Sequence, residues 1–231
     1  MSKYKNIFLD LDDTLWDTRT NARESMHEIF LSHNFENYFE SFDHYYSIYT
    51  SRNVELWNLY HHGQIDKHYL ITERFMHPLR HAGIPDENYA LRLNHEFLEC
   101  TASKTALVPY ALELLQYLHP KYRLFVLSNG FRDVQLKKLS NSNILSFFEK
   151  IIVSEDAGVN KPHPDIFNYA LTTTNSRKSE SIMVGDNPDT DIAGAYHFNM
   201  DQIFFVNNQS VKLNFIPSYS VTNLEEIVDI L

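Results

Sequence analysis

An α/β fold, a Rossmann-like parallel sheet core carrying an inserted all-helical domain, is predicted by three features of the sequence. Short apolar runs rich in β-branched or aromatic residues recur at 5–10, 123–128, 150–154, 181–185 and 202–206. Around the later runs lie stretches with apolar residues at three- or four-residue spacing, as the crossover helices of a parallel sheet require. Between the first run and the second, residues 17–100 contain helix starts and no strand-like run.

The first strand, "NIFLD", ends in acid: Asp10, Asp12 and Asp13 follow directly on its apolar residues. The insertion follows. Asp66 opens "DKHYLITERFMHPLRHAG", and Asp86, behind Pro85, opens "DENYALRLNHEFLEC"; both are N-cap residues ahead of periodic segments. The insertion is rich in rings, with Trp57 inside it and Trp16 at its edge, and filling the core of a helical bundle accounts for most of them. The later crossovers read as "YALELLQYLH", "DVQLKKLSN", "DIFNYALTT" and "DIAGAYHF". The expected division is a core made of residues 1–16 and 101–231 and a helical domain at 17–100.

The balance of charge narrows the partners. A formal charge of −10 without a block of like charges argues against a nucleic acid polymer or an anionic membrane. One cysteine, Cys100, allows no intramolecular disulfide. The first apolar run is too short for a signal peptide, and no window is apolar enough for a membrane span. A cytoplasmic protein, a monomer or weak dimer, is expected.

Several chemistries lack their motifs. None of the six glycines builds GxGxxG or GxxxxGK[ST], and GxSxG is missing. His77 and His81 share helical ligand spacing, but without an HExxH frame a solvated helix start explains them better than a metal.

What remains is polar residues at strand ends, where parallel sheets bind ligands. After the first strand come Asp10 and Asp12; after the second, Ser128, Asn129 and Gly130; after the third, Lys161 in "GVNKPHP"; after the fourth, Asp186 in "VGDNPDTD". Residues i and i+2 of an extended segment project to one side, so Asp10 and Asp12 can share a site while Leu11 turns away. Carboxylates brought together repel, and a hard divalent cation relieves this; Asp10, Asp186 and the backbone carbonyl of Asp12 suit Mg²⁺.

The order and spacing of "DLDDT", "LSNG", "KPHP" and "GDNPDTD" resemble the four motifs of the haloacid dehalogenase (HAD) superfamily, across nearly the whole chain. The helical insertion sits where such proteins carry a C1 cap. The connecting segments "SEDAGVNKPHPDIFNYAL" and "LWNLYHHGQI" are similar to a branch of that superfamily associated with nucleoside 5′-monophosphatase activity. The resemblance implies that Asp10 attacks phosphorus to give an aspartyl-phosphate, that Asp12 is the general acid and base, and that Lys161, Ser128 and Asn129 hold the phosphoryl group. Thr14 is expected to fix the turn, Asp191 to hold a metal water or Lys161, and Asp13, standing where the family often has glycine, to be a solvated turn residue.

The implied partner is a small-molecule phosphomonoester, with a nucleoside monophosphate favoured because Trp16, Trp57 and Tyr60 offer faces on which a base stacks, and a pyrimidine base implied by the resemblance alone. The competing account of these rings is bundle core. Sugar phosphates and phosphoglycolate are alternative substrates, a phosphosugar mutase shares the motifs, and a phosphometabolite-binding module is the non-enzyme alternative. A dehalogenase usually lacks the acid that Asp12 supplies.

Overall fold

The structure, a computed structural model, describes residues 3–207 and 213–231. The chain forms two compact units, one of Met1–Thr18 with Thr105–Leu231 and one of Arg19–Lys104.

The first unit is built on a parallel sheet of β1 (Asn6–Leu9), β2 (Arg123–Ser128), β3 (Lys150–Val153), β4 (Ser181–Gly185), β5 (Asp201–Phe205) and β6 (Tyr219–Val221), ordered β3-β2-β1-β4-β5-β6. All five neighbouring pairs are parallel. Side chains alternate across a strand, so Ile7 and Leu9 of β1 pack into one apolar cluster and Phe8 into another. α5 (Ala111–Leu118) supplies Leu114, Leu115 and Leu118 to the first cluster, and α8 (Pro164–Thr174) supplies Ile166, Phe167 and Ala170 to the second. Covering both faces explains why the central strands are continuous apolar runs rather than alternating ones. The remaining helices of this unit are α6 (Arg132–Asn141), the short α7 (Ser154–Ala157) and α9 (Ala193–His197), the last preceded by a π turn at Pro188–Ile192.

The sixth strand has no counterpart among the five expected apolar runs. It is three residues long, with Tyr219 and Ser220 exposed and only Val221 buried, so neither apolar content nor alternation marks it. Its pairing with β5 decides it.

The second unit packs α1 (Thr18–Ser32), α2 (Phe42–His61), α3 (Lys67–His81) and α4 (Glu87–Ser103). Ser41, Asp66 and Asp86 cap α2, α3 and α4, each side chain accepting from the backbone N–H three residues on. Its core is a cluster of rings that includes Phe30, Phe35, Tyr45, Tyr49, Phe75 and Phe97. His77 and His81 lie at the end of α3, not at a helix start, with ring centroids 4.9 Å apart; Pro78 is accommodated inside that helix. Among the described residues no helix is long and apolar enough to cross a membrane.

One ion network ties α2 to α3. The Glu73 carboxylate, 9% exposed, accepts from Arg80 Nη1 at 2.8 Å and Nη2 at 2.6 Å and from Arg52 Nη2 at 3.3 Å. The hydrogen bonds from Arg80 hold its carboxyl below the ordinary glutamate range, against the opposing effect of burial. A lowered folded-state pKa means that the unfolded chain binds the proton first as pH falls. The contribution of Glu73 is therefore complete above the unfolded pKa of about 4.3 and lost as pH drops through the lower folded value. Thermal melts followed by circular dichroism should show Glu73→Gln less stable than the parent at pH 7, with the gap narrowing below about pH 4.3. A gap that stays constant with pH would exclude ionisation of Glu73 as its source.

Candidate active site

The strand order reverses around β1, placing β1 and β4 side by side with their connections leaving in opposite directions, and the carboxyl ends of these two strands carry the acidic residues. Asp10 follows the last residue of β1 and is anchored by its N–H to Val184 O of β4 at 2.9 Å. The chain then turns tightly: Leu15 N and Trp16 N both donate to Leu11 O, and Asp13 N donates to Trp16 O at 2.8 Å. Asp13 sits in the left-handed region with φ 59°, which accounts for a residue that often is glycine in proteins with similar motifs. Thr14 links this turn to the loop after β4, its Oγ1 donating to Asp186 Oδ1 at 3.1 Å and accepting from Asp186 N at 3.0 Å.

Lys161 is the hub. Its ammonium, almost fully buried, donates to Asp10 Oδ1 at 2.6 Å and Leu127 O at 2.6 Å and lies 2.7 Å from Asp191 Oδ1. Burial works against its charge, but Asp10 and Asp191 outweigh this and push its pKa above the usual lysine range. Asn129 fixes the Lys161 backbone from both sides, Nδ2 donating to Lys161 O at 2.9 Å and Oδ1 accepting from Lys161 N at 2.8 Å. The side chain expected to hold a phosphoryl group is thus committed to the lysine loop. Ser128 Oγ accepts from Gly130 N at 3.0 Å and Gln135 Nε2 at 2.7 Å, so both lone-pair directions are used and its O–H is left to donate outward.

Asp10, Asp186 and Asp191 form one cluster, with carboxylate oxygens all within 4.8 Å of one another. Burial pushes the Asp10 carboxyl up to about 7, with Asp191 and Asp12 adding to the rise and Lys161 opposing it. Burial, then the charges of Asp10 and Asp191, raise Asp186 well above its ordinary value. Three carboxylates against one ammonium leave a buried excess of negative charge made of hard oxygen donors. That donor set fits Mg²⁺, with Asp10 and Asp186 as ligands; Asp191 is engaged by Lys161 and by Asn187 N at 3.1 Å.

Asp12 has a different set of partners, none of which the sequence reading identified. Its Oδ1 accepts from Lys138 Nζ at 2.5 Å and Thr18 Oγ1 at 2.9 Å, and its Oδ2 from Gln135 Nε2 at 2.6 Å. Burial raises the Asp12 carboxyl, but the Lys138 charge and these hydrogen bonds prevail and its pKa falls below the ordinary range. The signal lay in α6: Gln135 and Lys138 share the buried stripe with Leu139, where periodicity calls for apolar residues.

The rings expected to stack a base divide. Trp16 is 0% exposed, packed in the apolar core of the first unit with the Lys138 ammonium 4.3 Å from its ring centroid, so its faces are not available to a ligand. The reason is its place in the Leu11–Trp16 turn, which directs the indole into the apolar cluster that also holds Leu15 and Val108. Trp57 and Tyr60 are half-buried and contact each other at 5.7 Å between centroids.

With this geometry in hand, the family match is informative. Residues 4–198 match the haloacid dehalogenase-like hydrolase family, and the chain belongs to it. The match makes the chain an enzyme of the hydrolase class. Among its relatives, the HAD-hydrolase YfnB of Bacillus subtilis is 28% identical over 100% of this chain and 97% of its own. The pyrimidine 5′-nucleotidase YjjG of Escherichia coli is 27% identical, covering 99% of this chain and 98% of its own. The glyceraldehyde 3-phosphate phosphatase of Pyrococcus abyssi is 32% identical over 87% of this chain and 81% of its own. The crystal structure of magnesium-bound YfnB superposes with a TM-score of 0.89, at 24% identity and 99% coverage of both chains, and so shares the fold.

At two motif glycines a Cβ would force a neighbouring side chain to move. A Cβ on Gly130 would lie 2.2 Å from Gln135 Nε2, and one on Gly185 would lie 2.3 Å from Asp191 Oδ2. Gly185→Ala should therefore displace Asp191 from Lys161 and destabilise the core by about 1–3 kcal/mol. Urea unfolding measures the loss, and an unchanged midpoint would show that Asp191 yields without cost.

Proposed function

We propose that this protein is a Mg²⁺-dependent phosphomonoesterase working through an aspartyl-phosphate on Asp10, with a pyrimidine nucleoside 5′-monophosphate as substrate. The observation that carries the chemistry is the buried Asp10 carboxylate, paired with Lys161 and crowded by Asp186 and Asp191. A carboxylate attacking a phosphate is anion meeting anion, so the attacked group must be met by positive charge and donors. Lys161 provides the charge, and the Ser128 O–H, free of an acceptor among the described residues, provides a donor for a phosphoryl oxygen. Asn129 acts one step back by fixing the Lys161 loop.

Asp10 and Asp186 with the Asp12 carbonyl would hold Mg²⁺, which when bound supplies Lewis-acid neutralisation of phosphoryl charge and keeps Asp10 ionised. Asp10 then forms a bond to phosphorus as the ester oxygen leaves, and Asp12, having taken a proton from solvent, passes it to that oxygen. Water attacks the aspartyl-phosphate next, with Asp12 taking its proton. The lowered pKa of Asp12 favours the base half of this cycle in the resting protein.

The substrate reading draws on YjjG, whose name records pyrimidine 5′-nucleotidase activity and which aligns end to end with this chain. The glyceraldehyde 3-phosphate phosphatase relative makes a sugar or triose phosphate the competing reading. Trp16, buried in the core, does not contribute to the choice.

The test is steady-state kinetics on a panel of phosphate esters. kcat/KM for UMP or dTMP should exceed that for glucose 6-phosphate, glyceraldehyde 3-phosphate and phosphoglycolate; equal or better efficiency on any of the last three overturns the nucleotidase reading and leaves the phosphatase. Asp10→Asn should reduce phosphate release to background while the far-ultraviolet spectrum stays native. Activity should vanish in EDTA and return with Mg²⁺ but not with Ca²⁺, whose larger and looser shell does not support the in-line geometry. Full turnover in chelator would remove the metal from the proposal.

A further inference from the structure

Lys138 is a nearly buried lysine, its side chain 8% exposed, on a helix that carries no motif of the family resemblance. Its ammonium lies over the Trp16 indole, and its Nζ is bonded to Asp12 Oδ1. Gln135, one turn earlier on the same face of α6, holds Asp12 Oδ2 and, through the same nitrogen, Ser128 Oγ. Both oxygens of Asp12 are therefore held from one helix, and the same helix spaces Asp12 from the Ser128 hydroxyl.

Stability alone does not explain such an arrangement. Taking the lysine out of water to meet a carboxylate that itself stays 31% exposed returns little net stability, and an apolar side chain of similar volume would fill the space beside Trp16 at little loss. The polar residues in the buried stripe of α6 act on Asp12.

We propose that Lys138, seconded by Gln135, is the positioning residue for Asp12, holding its carboxylate in the one orientation from which it passes a proton to the leaving ester oxygen and takes one from the attacking water. The proposal rests on the phosphatase reading. In the first half-reaction the Asp10–phosphorus bond forms, the phosphorus–ester oxygen bond breaks, and the Asp12 proton goes to that oxygen. In the second, the water oxygen bonds to phosphorus, its proton returns to Asp12, and Asp10 is released. Lys138 touches neither phosphorus nor either oxygen. Its part is to restrict the Asp12 side chain, and positioning of this kind is lost steeply when a group is displaced by about 1 Å.

The experiment compares the parent, Lys138→Met and Lys138→Arg on two esters in Mg²⁺, with melting temperatures recorded for each. UMP has an alkyl leaving oxygen that needs a proton; 2,4-dinitrophenyl phosphate has one that does not. On UMP, Lys138→Met should lose about 10²-fold or more in kcat with KM changed less than about threefold, and Lys138→Arg should regain at least about tenfold. On 2,4-dinitrophenyl phosphate, rapid mixing should show Lys138→Met retaining a burst of about one equivalent of dinitrophenolate and then stalling, because attack survives while hydrolysis of the aspartyl-phosphate does not.

Burst and steady rates falling together would overturn the proposal, as would a loss expressed in KM, or no recovery with arginine. Parent activity with Lys138→Met unaltered overturns it alone. A parent inert toward both esters overturns the phosphatase reading and this proposal with it. Should Lys138→Met fail to fold, Lys138→Gln, which keeps part of the stem and a hydrogen-bond donor, is judged by the same two readouts.

Discussion

The buried ammonium of Lys161 is the contact on which the site depends. It joins the ends of three strands at once: Asp10 after β1, Leu127 O within β2 and Asp191 beyond β4. A charge this far from water is tolerable only with close counter-charges, and Asp10 and Asp191 in turn are tolerable only with a cation. The neighbourhood is organised to keep this balance. Asn129 clamps the backbone N–H and C=O of Lys161, Gly185 leaves space for Asp191, and Thr14 links the turn after β1 to the loop after β4.

The balance is incomplete without a further positive charge. Asp10 is driven up to about 7 and Asp186 well above its ordinary value, the mark of carboxylates gathered at a cost in stability. Asp12, two residues along, shows the opposite shift because α6 brings it a lysine and an amide of its own. Two carboxylates on one short loop are thereby given opposite shifts by different neighbours. Asp10 stands with the metal-fitting cluster and Asp12 stands with a donor set suited to proton transfer.

Much of this was legible along the chain. The apolar runs located five strands, because a strand buried on both faces must be apolar throughout. Asp66 and Asp86 announced two helices, because an N-cap is a local hydrogen bond between near neighbours in sequence. The four strand-end motifs converge because parallel strands in register bring their carboxyl ends together. The sixth strand was not legible, since Tyr219–Val221 exists as a strand only through its pairing with β5.

Sequence by itself determined the polar inventory of the site: Asp10, Asp12, Ser128, Asn129 and Asp186 each sit within a few residues of a strand end, and Lys161 follows β3 beyond the short α7, so the backbone path brings them to one edge of the sheet. Tertiary structure decided what each side chain is bonded to. Asn129 turned to the lysine backbone, Trp16 turned into the core, and Lys138 and Gln135 reached Asp12 from more than a hundred residues away. The physical reason is range. Periodicity and capping are read from neighbours in the chain, whereas the partner of a buried charge is whichever group the packing of distant segments leaves within hydrogen-bonding reach.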